Sequence, residues 1–279
     1  MLTLELAPGD RPPDFAIGRE VNLWRDERGH VCARLFSSLS HRWIEWPGLG
    51  VFWFEPHSRV IHVRPAPHVR LDVLQDTFTR FLQPAILQAL GWQALHASAV
   101  AGPDGVLAFC GPAHAGKSTL AYALGQTGGF RQFADDAFVT SLSDGGVRAH
   151  FLPFAARLRP TARRHFEASP QAPVDLVMPP PAPVAAFFLL TQDESLDAPP
   201  QRIRVPPARA FSELMAHAHC FDVADPSESK RIVDEYLEIV ARVPVFSLTY
   251  RPGFDRLDDL LHAVADARAS ALEHVAVGR

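Results

Sequence analysis

Nine consecutive residues, Gly111-Pro112-Ala113-His114-Ala115-Gly116-Lys117-Ser118-Thr119, fit the pattern G-x-x-x-x-G-K-[ST] at every fixed position. The chemistry such a run serves is the holding of phosphate. Backbone N–H groups of a glycine-rich turn converge on an anion, and a helix that begins there adds positive potential. Lys117 is one of only two lysines in the chain, the other being Lys230. In this slot its ammonium reaches terminal phosphates, and the Ser118 hydroxyl is placed to ligate Mg²⁺. The competing reading is a glycine-rich strand–helix turn with no ligand. The flanks favour the phosphate site, because an apolar strand-like run, Val106 to Cys110, enters the loop and a helix-like run, Thr119 to Leu124, leaves it.

Phosphoryl transfer also needs a metal and a group that orients or deprotonates the acceptor. The adjacent acids Asp135 and Asp136 follow a short predicted strand, Phe130 to Ala134. On an extended chain neighbouring side chains point to opposite faces. One carboxylate would then face the γ-phosphate and acceptor, while the other faces metal or holds the local backbone. A solvated Asp-Asp turn is the plain alternative. His96 is expected mid-strand in the hairpin before the loop, where it either touches the phosphates or an aspartate or is an ordinary core histidine.

The elements that must position these groups read as follows. Residues 1–70 form a β-rich N-terminal region, with hairpins Val21–Trp24/Val31–Phe36 and Val51–Phe54/Val60–Val63. Trp43, Trp46, Phe52, Trp53 and Phe54 read as core rather than as a base-stacking platform, since the segment is not basic. Leu71 to Leu90 reads as a helix with apolar Leu71, Leu74, Phe78, Phe81 and Leu82 at helical spacing, kinked or split by Pro84. Ala94–Val100 and Val106–Cys110 make a hairpin that feeds the loop, and the helix Lys117–Gln126 stops at Gly128-Gly129. Beyond the acids, Pro170–Pro183 reads as a loop, Ala185–Thr191 as a core strand, and Arg202–Val205 as a further strand. Helices are expected over Arg209–His217, Ser227–Val240 and Phe254–Ala267, with a strand at Val245–Tyr250. Arg157 and Arg159 would share one strand face and offer either an anion contact or a solvated face; Arg202 and Arg204 are weaker candidates of the same kind.

Composition narrows the partners. With 279 residues, 47% hydrophobic content and a net charge of −4, the chain can bury a large core but offers no broad basic surface, so nucleic acid is not a favoured partner. Cys32, Cys110 and Cys220 are too few and too scattered for a disulfide framework, which points to a reducing, cytoplasmic setting. No signal-like or membrane-spanning stretch is expected. His217 and His219 are the closest spacing among 13 histidines and lack a third ligand in sequence.

The order Leu95–Val100, then loop 111–119, then Phe133-Ala134-Asp135-Asp136 resembles the bacterial HPr serine kinase/phosphorylase family. It looks most like the broader set of HPr-kinase-related proteins that includes peptide-modifying kinases. The resemblance covers residues 94–142 and, loosely, the region to about 265; residues 1–80 carry none. It implies an α/β fold, a P-loop kinase core resembling phosphoenolpyruvate carboxykinase, over a catalytic domain at 71–279. It implies Asp135 as base, with Asp136 and His96 in support, and ATP and Mg²⁺ as cofactors. Lys117 would act with them, and Ser118 and Asp136 would hold the metal.

The sequence also departs from that family. Ala113-His114 replaces its Ser-Gly, Thr119 replaces a common Glu, and its glycine-rich signature after the acids is missing; Pro153–Pro160 stands near its place. These departures point away from HPr itself as acceptor and from the reverse reaction. The expected acceptor is a peptide or protein hydroxyl, with a small-molecule hydroxyl as the variant. A non-catalytic nucleotide-binding module stays open, as does self-association. Carboxykinase-like chemistry would need a transition-metal site that the sequence does not display.

Overall fold

The computed structural model describes residues 2–7, 17–26, 28–127, 129–156, 158–167 and 179–265. It is a mixed α/β structure of two compact units, Met1–Trp92 with His219–Val233, and Gln93–Ala218 with Asp234–Arg279.

The alternating apolar pattern of the first unit builds a six-stranded sheet. Its strands are β1 (Thr3–Leu6), β2 (Arg19–Arg25), β3 (Val31–Ser37), β4 (Arg42–Trp46), β5 (Gly50–Phe54) and β6 (Val60–Pro65), in the order β1-β6-β5-β4-β3-β2. Both expected hairpins form, as β2/β3 and β5/β6. β4 inserts between them, and β1 adds in parallel to β6, which local pattern did not announce. Trp43, Phe52, Trp53 and Phe54 are buried, as the core reading required, whereas Trp46 is only half-buried.

The expected helix over 71–90 is three pieces: α1 (Leu71–Thr77), a π-helical turn (Phe78–Leu82) and α2 (Gln83–Ala89). Pro84 lacks an N–H and its ring crowds the carbonyl four residues back, so the wider turn falls immediately before it. Leu74, Phe78 and Leu82 are buried, but Leu71 and Phe81 are exposed, so the apolar stripe is narrower than their spacing suggested.

The second unit holds β7 (Gln93–Leu95), β8 (Ser98–Gly102), β9 (Gly105–Cys110), α3 (Lys117–Gln126), β10 (Arg131–Ala134), β11 (Phe138–Ser143) and β12 (Gly146–His150). These are followed by α4 (Pro160–His165), β13 (Ala182–Gln192), β14 (Gln201–Arg204), α5 (Pro207–Met215) and β15 (Val245–Tyr250). The helix α6 (Pro226–Arg242) precedes β15, and a helical run over 257–265 follows it. The nine-stranded sheet runs β10-β8-β9-β13-β12-β11-β7, with β15 pairing with β13 and β14. β9, β13 and β15 are parallel, so their C-terminal ends open on one side. β9 is buried along its whole length, which its unbroken Val106–Cys110 run encodes. Leu120, Ala121 and Leu124 of α3 pack with Val100, Leu107, Phe109, Phe188 and Leu190 of the sheet. That packing fixes where α3 begins, and so where the loop before it lies.

Two expected elements differ. β7 and β8 are separate strands that break at His96-Ala97, because β7 pairs with β11 whereas β8 pairs with β9 and β10. Residues 151–156 form no strand, and Arg159 precedes α4, so the strand face expected for Arg157 and Arg159 is not formed; Arg157 itself lies outside the described residues. Most of the expected 170–183 loop also lies outside them. Among the described residues no helix is long and apolar enough to cross a membrane.

Candidate functional site

Loop 111–116 leaves the C-terminal end of β9 and enters α3 at Lys117. Three of its residues have positive φ: Gly111 at 152°, His114 at 71° and Gly116 at 82°. The two glycines are also needed for space. A Cβ on Gly111 would stand 2.9 Å from the Leu190 carbonyl oxygen, and one on Gly116 would strike the Tyr250 hydroxyl. That hydroxyl donates to the Ala115 carbonyl at 2.7 Å and accepts from Gln192 Nε2 at 3.3 Å. Gln192 and Tyr250 are the last residues of β13 and β15, so the parallel strand ends pin the loop from below. Pro112, Ala113 and His114 form its exposed tip.

Lys117 is 7% exposed. Its Nζ folds back to donate to the carbonyls of Gly111, at 2.9 Å, and Pro112, at 3.1 Å. The loop thus carries an ammonium at its centre, and a β-carbon at 111 or 116 would collide with the strand ends that hold it. Burial lowers the Lys117 pKa, and Cys110, Asp136 and Asp135 oppose that. Burial pushes the Cys110 thiol up to about 12, so at neutral pH the opposing charge is that of the two carboxylates. Ser118 and Thr119, half-buried, begin the first turn of α3.

The acidic side comes from the end of β10 and the start of β8. Asp135 is 9% exposed, and the fully buried Ser98 donates its hydroxyl proton to Asp135 Oδ1 at 2.8 Å. Ser98 Oγ also lies 3.4 Å from Ser118 Oγ. Asp135 is therefore tied, through one intermediate serine, to the hydroxyl that opens α3. Asp136 has a φ of 63°, so the pair sits in a bend and not on an extended chain. The expectation that strand alternation alone would divide the two carboxylates does not hold; the left-handed residue sets their directions.

His96 sits in the bend between β7 and β8, not mid-strand. Its Nδ1 is 3.0 Å from the Asp136 carbonyl, which can only accept, so Nδ1 carries the proton. Its backbone N–H donates to the His217 carbonyl at 2.8 Å. Burial, then the Lys117 charge, lowers the His96 pKa, while Asp136 and Asp135 partly counter this. His217, after α5, is shifted down by burial and then by Lys117 and His96, which places it in the same field. His217 belongs to the second unit and His219 to the first. Among the described residues no group of three His, Cys, Asp or Glu side chains is arranged to hold a metal.

The arginines divide. Arg159 Nη2 lies 2.9 Å from His114 Nε2 at the loop tip. Arg202 donates to the Ala263 carbonyl at 3.3 Å and lies over the Phe246 ring, and Arg204 is an exposed residue of β14. The structure thus gathers Lys117, Ser118, Asp135, Asp136 and His96 around one loop. Ser98 and His217 join them, and neither was marked by local pattern as belonging there.

No family model and no curated protein matches this chain. A solved structure of the HPr(Ser) kinase/phosphatase from Coxiella burnetii aligns with 67% of this chain and 96% of its own, at 14% identity and a TM-score of 0.40. A likeness at that level carries no argument about activity.

Proposed function

We propose that this chain is an ATP- and Mg²⁺-dependent phosphotransferase that moves the γ-phosphate to a seryl or threonyl hydroxyl of a peptide or protein. The observation that carries the reading is the convergence on one loop of a buried ammonium, Lys117, and a carboxylate, Asp135, linked through Ser98 to Ser118. A glycine-rich loop at a helix N-terminus suits a polyphosphate, and hydroxyl and carboxylate oxygens suit a hard divalent cation. Ser118 would hold that cation, with Asp135 behind it. When bound, magnesium neutralises phosphate charge and aligns the chain of phosphates for displacement.

The chain's own residues then divide the work. Lys117 exchanges the Gly111 and Pro112 carbonyls for phosphate oxygens. Both acids lie in the field of Lys117 and His96, and Asp136, the one not engaged by Ser98, orients the acceptor hydroxyl and takes its proton on a carboxylate oxygen. His96, held neutral, fixes the Asp136 backbone through Nδ1–H. This division reverses the roles that the family resemblance suggested for the two acids, and the Ser98 hydrogen bond is the reason. The acceptor class rests on the order His96, loop, acid pair, which resembles HPr-kinase-related proteins that modify peptides.

The test is incubation with ATP, Mg²⁺ and peptides encoded in adjacent genes, read by intact mass and fragmentation. A phosphoserine or phosphothreonine that disappears in Lys117→Ala, and falls by ~10²–10⁴ in rate in Asp136→Asn, is the expected result. Transfer only to a small metabolite would refute the peptide acceptor. Nucleotide binding without transfer to any acceptor would favour a non-catalytic binding module.

A further inference from the structure

Ser98 is fully buried at the first position of β8, within the segment Leu95–Val100 but with no role assigned to it by the resemblance. It nevertheless stands between the two oxygens on which the proposed metal site depends. A hydroxyl has one proton, and Ser98 gives it to Asp135 Oδ1, since an ionised carboxylate only accepts. Whatever passes between Ser98 and Ser118 must therefore run the other way, from the Ser118 hydroxyl to Ser98 Oγ. The result is a directed relay, Ser118 to Ser98 to Asp135, ending on a negative charge.

We infer that Ser98 is a positioning residue that sets the direction of the Ser118 proton and so presents the Ser118 lone pairs to a divalent cation. The inference rests on the proposed magnesium–nucleotide reading and assigns a role within that site to a residue outside the loop. A hydroxyl ligates a cation through its lone pairs, and a proton pointing into the site opposes binding. With Ser98 as acceptor that proton is drawn toward the strand. The geometry is tight at one end and loose at the other. The Ser98–Asp135 contact is 2.8 Å, near the optimum for O–H···O, whereas the Ser98–Ser118 contact is 3.4 Å. Ser98 is thereby anchored by the carboxylate, while its contact with Ser118 is the looser of the two. The strand register makes this possible. Ser98 pairs with Phe109, one residue before the end of β9, and the neighbouring Ala99 pairs with Ala134, directly before Asp135.

The experiment is a Mg²⁺ titration of ATP binding, by calorimetry, on the full chain and on Ser98→Ala and Ser98→Cys, with parallel titrations of ATP in EDTA. Both variants are expected to raise the Mg²⁺ concentration for half-maximal binding on the order of tenfold, because neither supplies a comparable hydroxyl relay. Metal-free ATP affinity is expected to stay within about twofold of the parent, which also shows that the loop is folded. An unchanged magnesium requirement in both variants, with the parent chain binding Mg–ATP, would overturn the role of Ser98 alone. Equal losses with and without metal would overturn it too, by showing a merely structural part. A parent chain that binds no nucleotide at any Mg²⁺ concentration would overturn the nucleotide reading itself, and this role with it.

Discussion

At the scale of single residues, the site combines a buried cation, two carboxylates and two histidines whose pKa values are pushed down. For His96 the sign follows from its environment. The fold holds the imidazole neutral, while in the unfolded chain it protonates near the ordinary value of 6.5. As pH falls through that value the unfolded state gains a proton that the folded state refuses, so stability falls on acidification and is restored above it. Each such differential proton contributes at most about 1.4 kcal/mol per pH unit. His96→Gln should flatten the slope of unfolding free energy between about pH 7.5 and 5.5, measured by urea denaturation. An unchanged slope would show that His96 is not held neutral. The residues that gather at this loop were unevenly legible. The loop, Lys117, Ser118 and the acid pair announce themselves because their meaning lies in close spacing. Ser98 lies in the segment Leu95–Val100 yet was given no role there, because only the pairing of β8 with β9 and β10 brings it to Asp135 and Ser118.

At the scale of elements, the loop is held by the ends of parallel strands. Tyr250, 6% exposed, closes β15 and donates to the Ala115 carbonyl. Burial raises its pKa, so the phenol keeps its proton and stays a donor at neutral pH. Tyr250→Phe leaves a buried carbonyl unsatisfied. It should lower unfolding free energy by about 1–2 kcal/mol, seen as an earlier urea midpoint with the same slope. A variant as stable as the parent would mean the loop is pinned elsewhere. β9 and β13, with continuous apolar runs, and β15, with its alternating Val245–Tyr250, could be read directly, as could α3 and α6 from their flanks. β1 could not, since its parallel partner β6 lies far along the chain; β4 could not either, although short turns join it to β3 and β5, since Arg42 and Glu45 interrupt its apolar residues. The break at His96 was hidden for a related reason. The run Ala94–Val100 looks like one strand, yet its halves answer to different neighbours.

At the scale of the whole molecule, a net charge of −4 makes a general polyanion surface an unpromising role, whereas one concentrated site with a buried lysine remains consistent with an anionic ligand. The loop, its acids and its histidines all belong to the second unit. A ligand that binds only the folded form stabilises that unit by mass action, by about 2.7 kcal/mol at a hundredfold excess over Kd. The central claim is therefore tested most directly by thermal unfolding with and without Mg–ATP, in the parent chain and in Lys117→Ala, each variant compared with its own ligand-free midpoint. The account predicts a rise of roughly 5–10 °C in the parent and little or none in Lys117→Ala. An equal rise in both, or none in the parent at saturating Mg–ATP, would contradict it.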